Sequence, residues 1–319
     1  MTSTRTCMLV SALAASSLLY VGTSHAQDAG VDAGHSTVAS AVAPIPNTRE
    51  YSRDGELSPG ASAPSIAAML AAIDKGSPET FRATLEYGER VLCTECVPLL
   101  ENKLLSSSVP RVREMSAWWL RRQPFAGPAV FKQLKAVLST DTDATRRSRA
   151  AEALGEFMDP FGLDVLAKAA TQDADAGVRG SAVRALARLN HPGSGAAIAA
   201  ALADANPSVR AAALDVLISV VGYANFASVL PLLADADPAI RTHAARICGE
   251  VHYQAAETML IAALDGDTSA GVRKAAAWAL GRIGGAAGRA ALDAHKARER
   301  DPLVLSAIDV AERMSPRAP

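Results

Sequence analysis

Cysteine, aspartate-arginine and histidine groupings are the parts of this 319-residue sequence whose types and spacing could do chemistry. Cys93 and Cys96, in Cys93-Thr94-Glu95-Cys96, have the spacing shared by redox dithiols, haem attachment sites and metal corners. Haem attachment is excluded because Val97, not histidine, follows the second cysteine. A thioredoxin-like role requires a strand-to-helix setting, whereas this pair falls between two helical segments. A local disulfide at an inter-helix corner is the leading reading, with paired free thiols or a metal site completed from elsewhere as the open alternatives. Cys248 falls on a helical core position and reads as a small buried apolar residue.

The Asp-x-Asp turns Asp141-Thr142-Asp143, Asp173-Ala174-Asp175 and Asp235-Ala236-Asp237 raise the question of calcium. That ion takes about six to eight oxygens, and each turn brings two carboxylates that a helix cap and an arginine already account for. His191, His243, His252 and His295 are scattered, with no His-Glu or His-x-x-x-His pair on one helix face. No Ser, Cys or Thr stands in a nucleophile motif, and neither G-x-x-x-x-G-K nor G-x-G-x-x-G occurs. The expectation is a protein that is not an enzyme and carries no cofactor or metal.

The elements that position these residues repeat. Val178-Arg179 is followed by Ala182, Ala185 and Leu186, and Val209-Arg210 by Ala213, Val216 and Leu217. The same frame fits Ile240-Arg241 with Ala244, Ile247 and Cys248, and Val272-Arg273 with Ala276, Ala279 and Leu280; Arg113 and Arg147 fit upstream. The arginines recur every 31 to 34 residues, a period that signals stacked supersecondary units. A degenerate last unit has Leu305 at the arginine position, and the first, around Phe81-Arg82, is also irregular, as end units with one neighbour need to be. Each unit reads as two antiparallel helices joined by a tight turn. Offsets zero, three, six, seven and ten from the arginine form one apolar stripe on the second helix. Asn206-Pro207, Asp237-Pro238 and Asp301-Pro302 place a side-chain acceptor at N-cap and proline at the first helical position.

Six residues before the arginine stands an aspartate in five units: Asp141, Asp173, Asp204, Asp235 and Asp267, matched with Arg147, Arg179, Arg210, Arg241 and Arg273. This pattern predicts a ladder of charge-assisted hydrogen bonds along the stack, each guanidinium reaching an aspartate of its own or an adjacent turn. A partly buried rung specifies stacking geometry more than it adds net stability, while breaking one side costs about 3 to 5 kcal/mol.

These residues resemble the HEAT-repeat superfamily, most closely its short bacterial phycobilisome-lyase-like variety, strongly from Gly127 to Gly285, less from Pro64 to Phe125 and weakly after Ala286. The resemblance implies an all-α solenoid, a right-handed superhelix of about eight HEAT-like hairpins, used to bind other proteins. It does not imply lyase activity, since fold alone does not fix function. HEAT-like hydroxylases hold iron through His-Glu pairs, which this sequence lacks.

Opposite the core stripe, at offsets one, five and eight, lie the positions expected to meet a partner. Offset five reads Trp118, Glu152, Arg184, Asp215, Arg246 and Trp278: charges of alternating sign with a tryptophan near either end. In solenoids the second helices usually line the concave wall. Exposed tryptophans there would be binding hot spots; alternatively both rings fold over neighbouring helices, Trp118 against Trp119 or the Arg121 stem.

Composition fits that reading. Apolar residues make up 49% of the chain and aromatics only 4%, and the apolar share is heavily alanine, which favours closely packed helices. The net charge of -1 leaves no cationic surplus for a phosphate backbone, so nucleic acid is not an expected partner. Residues 1–26 read as a signal peptide: Arg5 in the n-region, an uncharged run from Cys7 to Val21, and small residues before Gln27. That run is shorter than the roughly 20 residues a membrane span needs. Residues 27–63, rich in Asp, Ala, Gly, Ser and Pro, read as a disordered leader, and 64–316 as the solenoid. The expected product is a periplasmic or secreted scaffold for a protein or peptide. The alternative is a redox or cofactor-handling accessory factor that works through Cys93 and Cys96.

Overall fold

The computed structural model describes residues 63–314; the signal-peptide reading and all but the last residue of the leader lie outside them. The described residues form fifteen α-helices and no strand. In chain order these are α1 (Ile66–Lys75), α2 (Pro78–Tyr87), α3 (Cys96–Ser106), α4 (Pro110–Arg121), α5 (Gly127–Thr140), α6 (Ala144–Phe157), α7 (Leu163–Gln172) and α8 (Ala176–Leu189). They continue with α9 (Gly195–Ala201), α10 (Pro207–Leu217), α11 (Pro238–Glu250), α12 (Glu257–Gly266), α13 (Ala270–Ile283), α14 (Ala286–Lys296) and α15 (Pro302–Met314). Before α11, residues Phe226–Ala234 supply the missing first helix of the sixth unit as a 3₁₀ helix. Pro231 lies inside it, where its missing N–H and its ring bar a regular α-helix. The result is eight hairpins, α1/α2 to α14/α15.

Side-chain caps start most of the second helices; α4 and α13 lack one. Asp143 caps α6 by accepting from the Thr145 N–H at 2.8 Å, Asp175 caps α8 from Val178 at 3.0 Å, and Asn206 caps α10 from Ser208 at 2.9 Å. Asp237 and Asp301 do the same for α11 and α15, each followed by proline. Eleven residues beyond the repeating arginine, Met158, Asn190, His252 and Gly284 all have positive φ, the left-handed conformation that ends a helix and turns the chain back.

Packing is two-layered: second helices pack on their own first helices and, in most units, on the second helix of the next unit. The buried arc of a second helix is therefore wider than one hairpin requires. The −1, +3, +4 and +7 positions around Arg179 (Val178, Ala182, Val183 and Leu186) are all fully buried. Offset eight, expected to face outward, is inside this arc. Gly155, Gly249 and Gly281 occupy it and are buried. A Cβ on Gly155 would come within 2.9 Å of the Ala185 Cα, one on Gly249 within 2.9 Å of the Ala279 Cα, and one on Gly281 within 2.5 Å of the Ala311 Cα. Glycine there lets α6, α11 and α13 lie directly on α8, α13 and α15. The other three units have Arg121, Ala187 and Ile218 at that position, and α4 and α10, which have the large ones, pack less closely on the next second helix.

Replacing Gly155 with valine should destabilise the protein by about 1–3 kcal/mol through overpacking, read as a lower urea midpoint with an unchanged m-value. A midpoint equal to wild type would show that α6 and α8 are not in backbone contact.

Candidate functional site

Each repeating arginine bridges two units. Arg147 donates from Nε and Nη2 to the two carboxylate oxygens of Asp173, both at 2.8 Å, and from Nη1 to the Asp141 carbonyl at 3.0 Å. Arg179 treats Asp204 and the Asp173 carbonyl in the same way, Arg210 takes Asp235 and the Asp204 carbonyl, and Arg241 takes Asp267 and the Asp235 carbonyl. The carboxylate thus comes from the following unit and the carbonyl from the arginine's own turn. Each aspartate also accepts the N–H two residues on, for example Asp204 from Asn206 at 2.8 Å. The rungs are largely shielded, with side chains of Arg210 and Asp235 only 14% and 7% exposed.

The two ends of the ladder depart from the sequence pattern. Arg273 is received by Glu299, at 2.7 and 3.1 Å, and Glu299 in turn holds His295 Nε2 at 2.9 Å and the N–H of Asp301. Glu299 lies six residues before Leu305, so it occupies the aspartate column of a unit whose arginine is lost; that spacing was the signal available. At the other end Asp141 receives no arginine from the preceding unit. It pairs with Arg146 at 2.8 Å, while Arg113 reaches across to Glu152 at 3.2 and 2.9 Å. Glu152 is therefore a stacking residue as well as a face residue. Arg121, at the position where glycine would bring α4 and α6 together, instead donates to the Glu156 carbonyl at 2.9 Å.

Cys93 and Cys96 are joined as a disulfide and are completely buried. Burial pushes the Cys248 thiol up to about 11. Among the described residues no group of three or more His, Cys, Asp or Glu is placed to hold a metal ion.

The most exposed positions of the second helices lie at offsets five and nine, while offset one is mostly half-buried and Gly180 there is buried. Arg184, Asp215 and Arg246 are exposed at offset five. Of the two placements the sequence left open for the tryptophans, exposed rings or rings folded over neighbours, the structure has Trp118 and Trp278 each half-buried against the core. The Arg122 guanidinium lies 4.6 Å from the centroid of Trp118, and Arg282 5.7 Å from that of Trp278. Trp278 also covers Gly249, whose missing Cβ makes room for the ring. An i,i+4 arginine caps each aromatic ring, which is cation-π packing. Burial holds His243 below the usual histidine range, with Asp215 at 3.4 Å partly opposing the shift. Between α4, α6 and α8 the face opens into a cavity of about 280 Å3 lined by charged residues that include Arg149, Glu152 and Arg184.

Residues 163–224 and 226–311 match the HEAT-repeat family. These stretches are HEAT repeats, and the chain that carries them is an all-α solenoid of HEAT-like hairpins. The X-ray structure of YibA from Escherichia coli is similar with a TM-score of 0.52 and 18% identity, over 78% of this chain and 93% of that one. An archaeal HEAT-like repeats protein from Thermococcus onnurineus gives 0.46 and 16%, over 68% and 96% of the two chains. The complex of CpcE and CpcF of phycocyanin lyase from Nostoc gives 0.36 and 19%, over 68% and 94%. No curated protein matches the sequence. At these identities the likeness is one of fold. No described helix is long and apolar enough to cross a membrane.

Two measurements probe the ladder. Arg210→Leu strands Asp235 and should lower unfolding free energy by about 3 kcal/mol, whereas Arg246→Leu, on an exposed position, should stay within about 0.5 kcal/mol of wild type. The second is pH. The bonds from Arg179, Arg241 and Arg273 hold Asp204, Asp267 and Glu299 below the usual carboxylate range. A depressed carboxylate stabilises the fold above its unfolded pKa, about 3.9 for Asp and about 4.3 for Glu, and that stabilisation is lost as pH falls through the folded value. The urea midpoint should therefore drop steeply below about pH 4, and Asp204→Asn should make that acid limb shallower. An acid limb identical in the variant would remove Asp204 from the linkage.

Proposed function

We propose that this chain is an exported protein-protein interaction scaffold, periplasmic or secreted, whose second-helix face, the concave wall of the solenoid, grips a segment of a partner protein. The observation that carries this reading is the free face itself: Arg184, Asp215 and Arg246, exposed charges of both signs on successive second helices, beside a cavity lined by charged residues. HEAT repeats commonly mediate protein-protein interaction, and residues 1–26 supply the export reading. Alternating charge suits orientation and choice of a partner more than raw affinity. Trp118 and Trp278 enter as arginine-capped anchors of this face rather than as free hot spots. The redox alternative is disfavoured by the complete burial of Cys93 and Cys96, which denies an attacking thiolate access.

Crosslinking in the native envelope tests the reading on the exposed charges. Reversing two of them, Asp215→Lys with Arg246→Glu, should abolish the specific crosslinks of the wild-type chain while leaving its helical circular dichroism unchanged. Crosslinks that survive the double reversal would remove this face from the function.

A further inference from the structure

The cavity lies between α4, α6 and α8, where α6 lies directly on α8 at Gly155 and α4 packs less closely on α6. Three glutamates and four arginines line the opening. Each glutamate is neutralised: Glu152 by Arg113, Glu156 by Arg188, and Glu114 by Arg111 just outside the cavity. Two arginines are left over. Arg149 donates from Nη1 to the Leu105 carbonyl at 2.9 Å, and Arg184 from Nη2 to the Ser181 hydroxyl at 3.1 Å; neither meets a carboxylate among the described residues. A guanidinium has five N–H donors in a planar fork, so each keeps most of its hydrogen-bonding capacity. Both sit in a recess where field lines are focused by low-dielectric walls.

We propose that this cavity seats the carboxylate of an aspartate or glutamate side chain from a bound peptide segment, with Arg149 and Arg184 as its two partners. The inference rests on the scaffold reading above and names the chemistry of the partner. At about 280 Å3 the space lies below the roughly 300–1,000 Å3 of pockets that enclose a whole small molecule, and suits a side chain carried on an extended backbone. Two uncompensated cations match a carboxylate, which guanidinium groups bind through paired N–H···O bonds. The flanking carboxylates of Glu114, Glu152 and Glu156 disfavour a doubly charged phosphate and offer acceptors to the peptide's own N–H groups. Acidic residues spaced along the partner would then meet Arg184 first and Arg246 further along the same face.

The test uses the full chain and three fluorescein-labelled dodecapeptides: alternating Gly-Glu, alternating Gly-Gln, and alternating Gly-phosphoserine. Fluorescence anisotropy should show binding of the Glu peptide, and at least tenfold weaker binding of the other two. Arg149→Gln and Arg184→Gln should each weaken the Glu peptide by about tenfold, as loss of one charge-assisted contact does. Arg184→Gln is the decisive variant because its exposed side chain leaves the stacking contacts intact; a matched melting temperature checks this. No binding by wild type, equal binding of the Gln peptide, tighter binding of the phosphoserine peptide, or unchanged affinity in Arg184→Gln would each overturn the proposal. Any of these results, together with crosslinks still lost on Asp215→Lys with Arg246→Glu, condemns the acidic anchor and spares the scaffold. Crosslinks retained in that double reversal condemn the scaffold face itself.

Discussion

One arginine per unit, held by a carboxylate of the next unit and a carbonyl of its own, is the contact on which the stack depends. Alanine-rich helices present little shape to tell one neighbour from another, and apolar burial is non-directional. A guanidinium fork is directional. With Nε and Nη2 on one carboxylate and Nη1 on the carbonyl six residues upstream, as at Arg147, the angle between consecutive turns is fixed. The aspartate is fixed too, since it also accepts a backbone N–H at the start of the following helix, as Asp204 does from Asn206. The ladder thus couples turn geometry to stacking geometry.

Helix separation is governed elsewhere, at a single position on the second helices. Gly155, Gly249 and Gly281 put backbone on backbone, whereas α4 and α10, with Arg121 and Ile218 at that position, pack less closely on the next second helix. Site and scaffold are not separate features: the recess lined by Arg149 and Arg184 is also lined by Arg113, the ladder arginine that turns to Glu152 instead of Asp141.

Much of this was legible in the sequence. The period, the arginine and aspartate columns, and the Asn206, Asp237 and Asp301 caps all follow from residue types at fixed spacing, because turn and cap chemistry is local. What was not legible involves the neighbouring unit. A helical wheel drawn for one hairpin sets offset eight apart from the first helix and so reads it as surface, yet the next second helix lies against it. The same omission leaves open whether Trp118 and Trp278 are exposed or folded over; both are half-buried, and an arginine one turn on lies over each ring. The direction of pairing was open because an aspartate six residues before one arginine is equally available to the arginine of the unit before. Glu299 escaped notice because Leu305 broke the pattern used to find the column.

Rungs of this kind make the hairpins directional tiles, with a cation offered at one end and an anion at the other. Adding or removing a whole tile rejoins a donor to an acceptor and leaves the interior balanced. A deletion that cuts a tile between its aspartate and its arginine strands two charges in a largely shielded place. Changes in length are thereby kept out of the six-residue step between aspartate and arginine, and the variation of the period between 31 and 34 residues falls elsewhere in the tile. The last tile, with Leu305 in place of arginine, ends the series without a dangling cation.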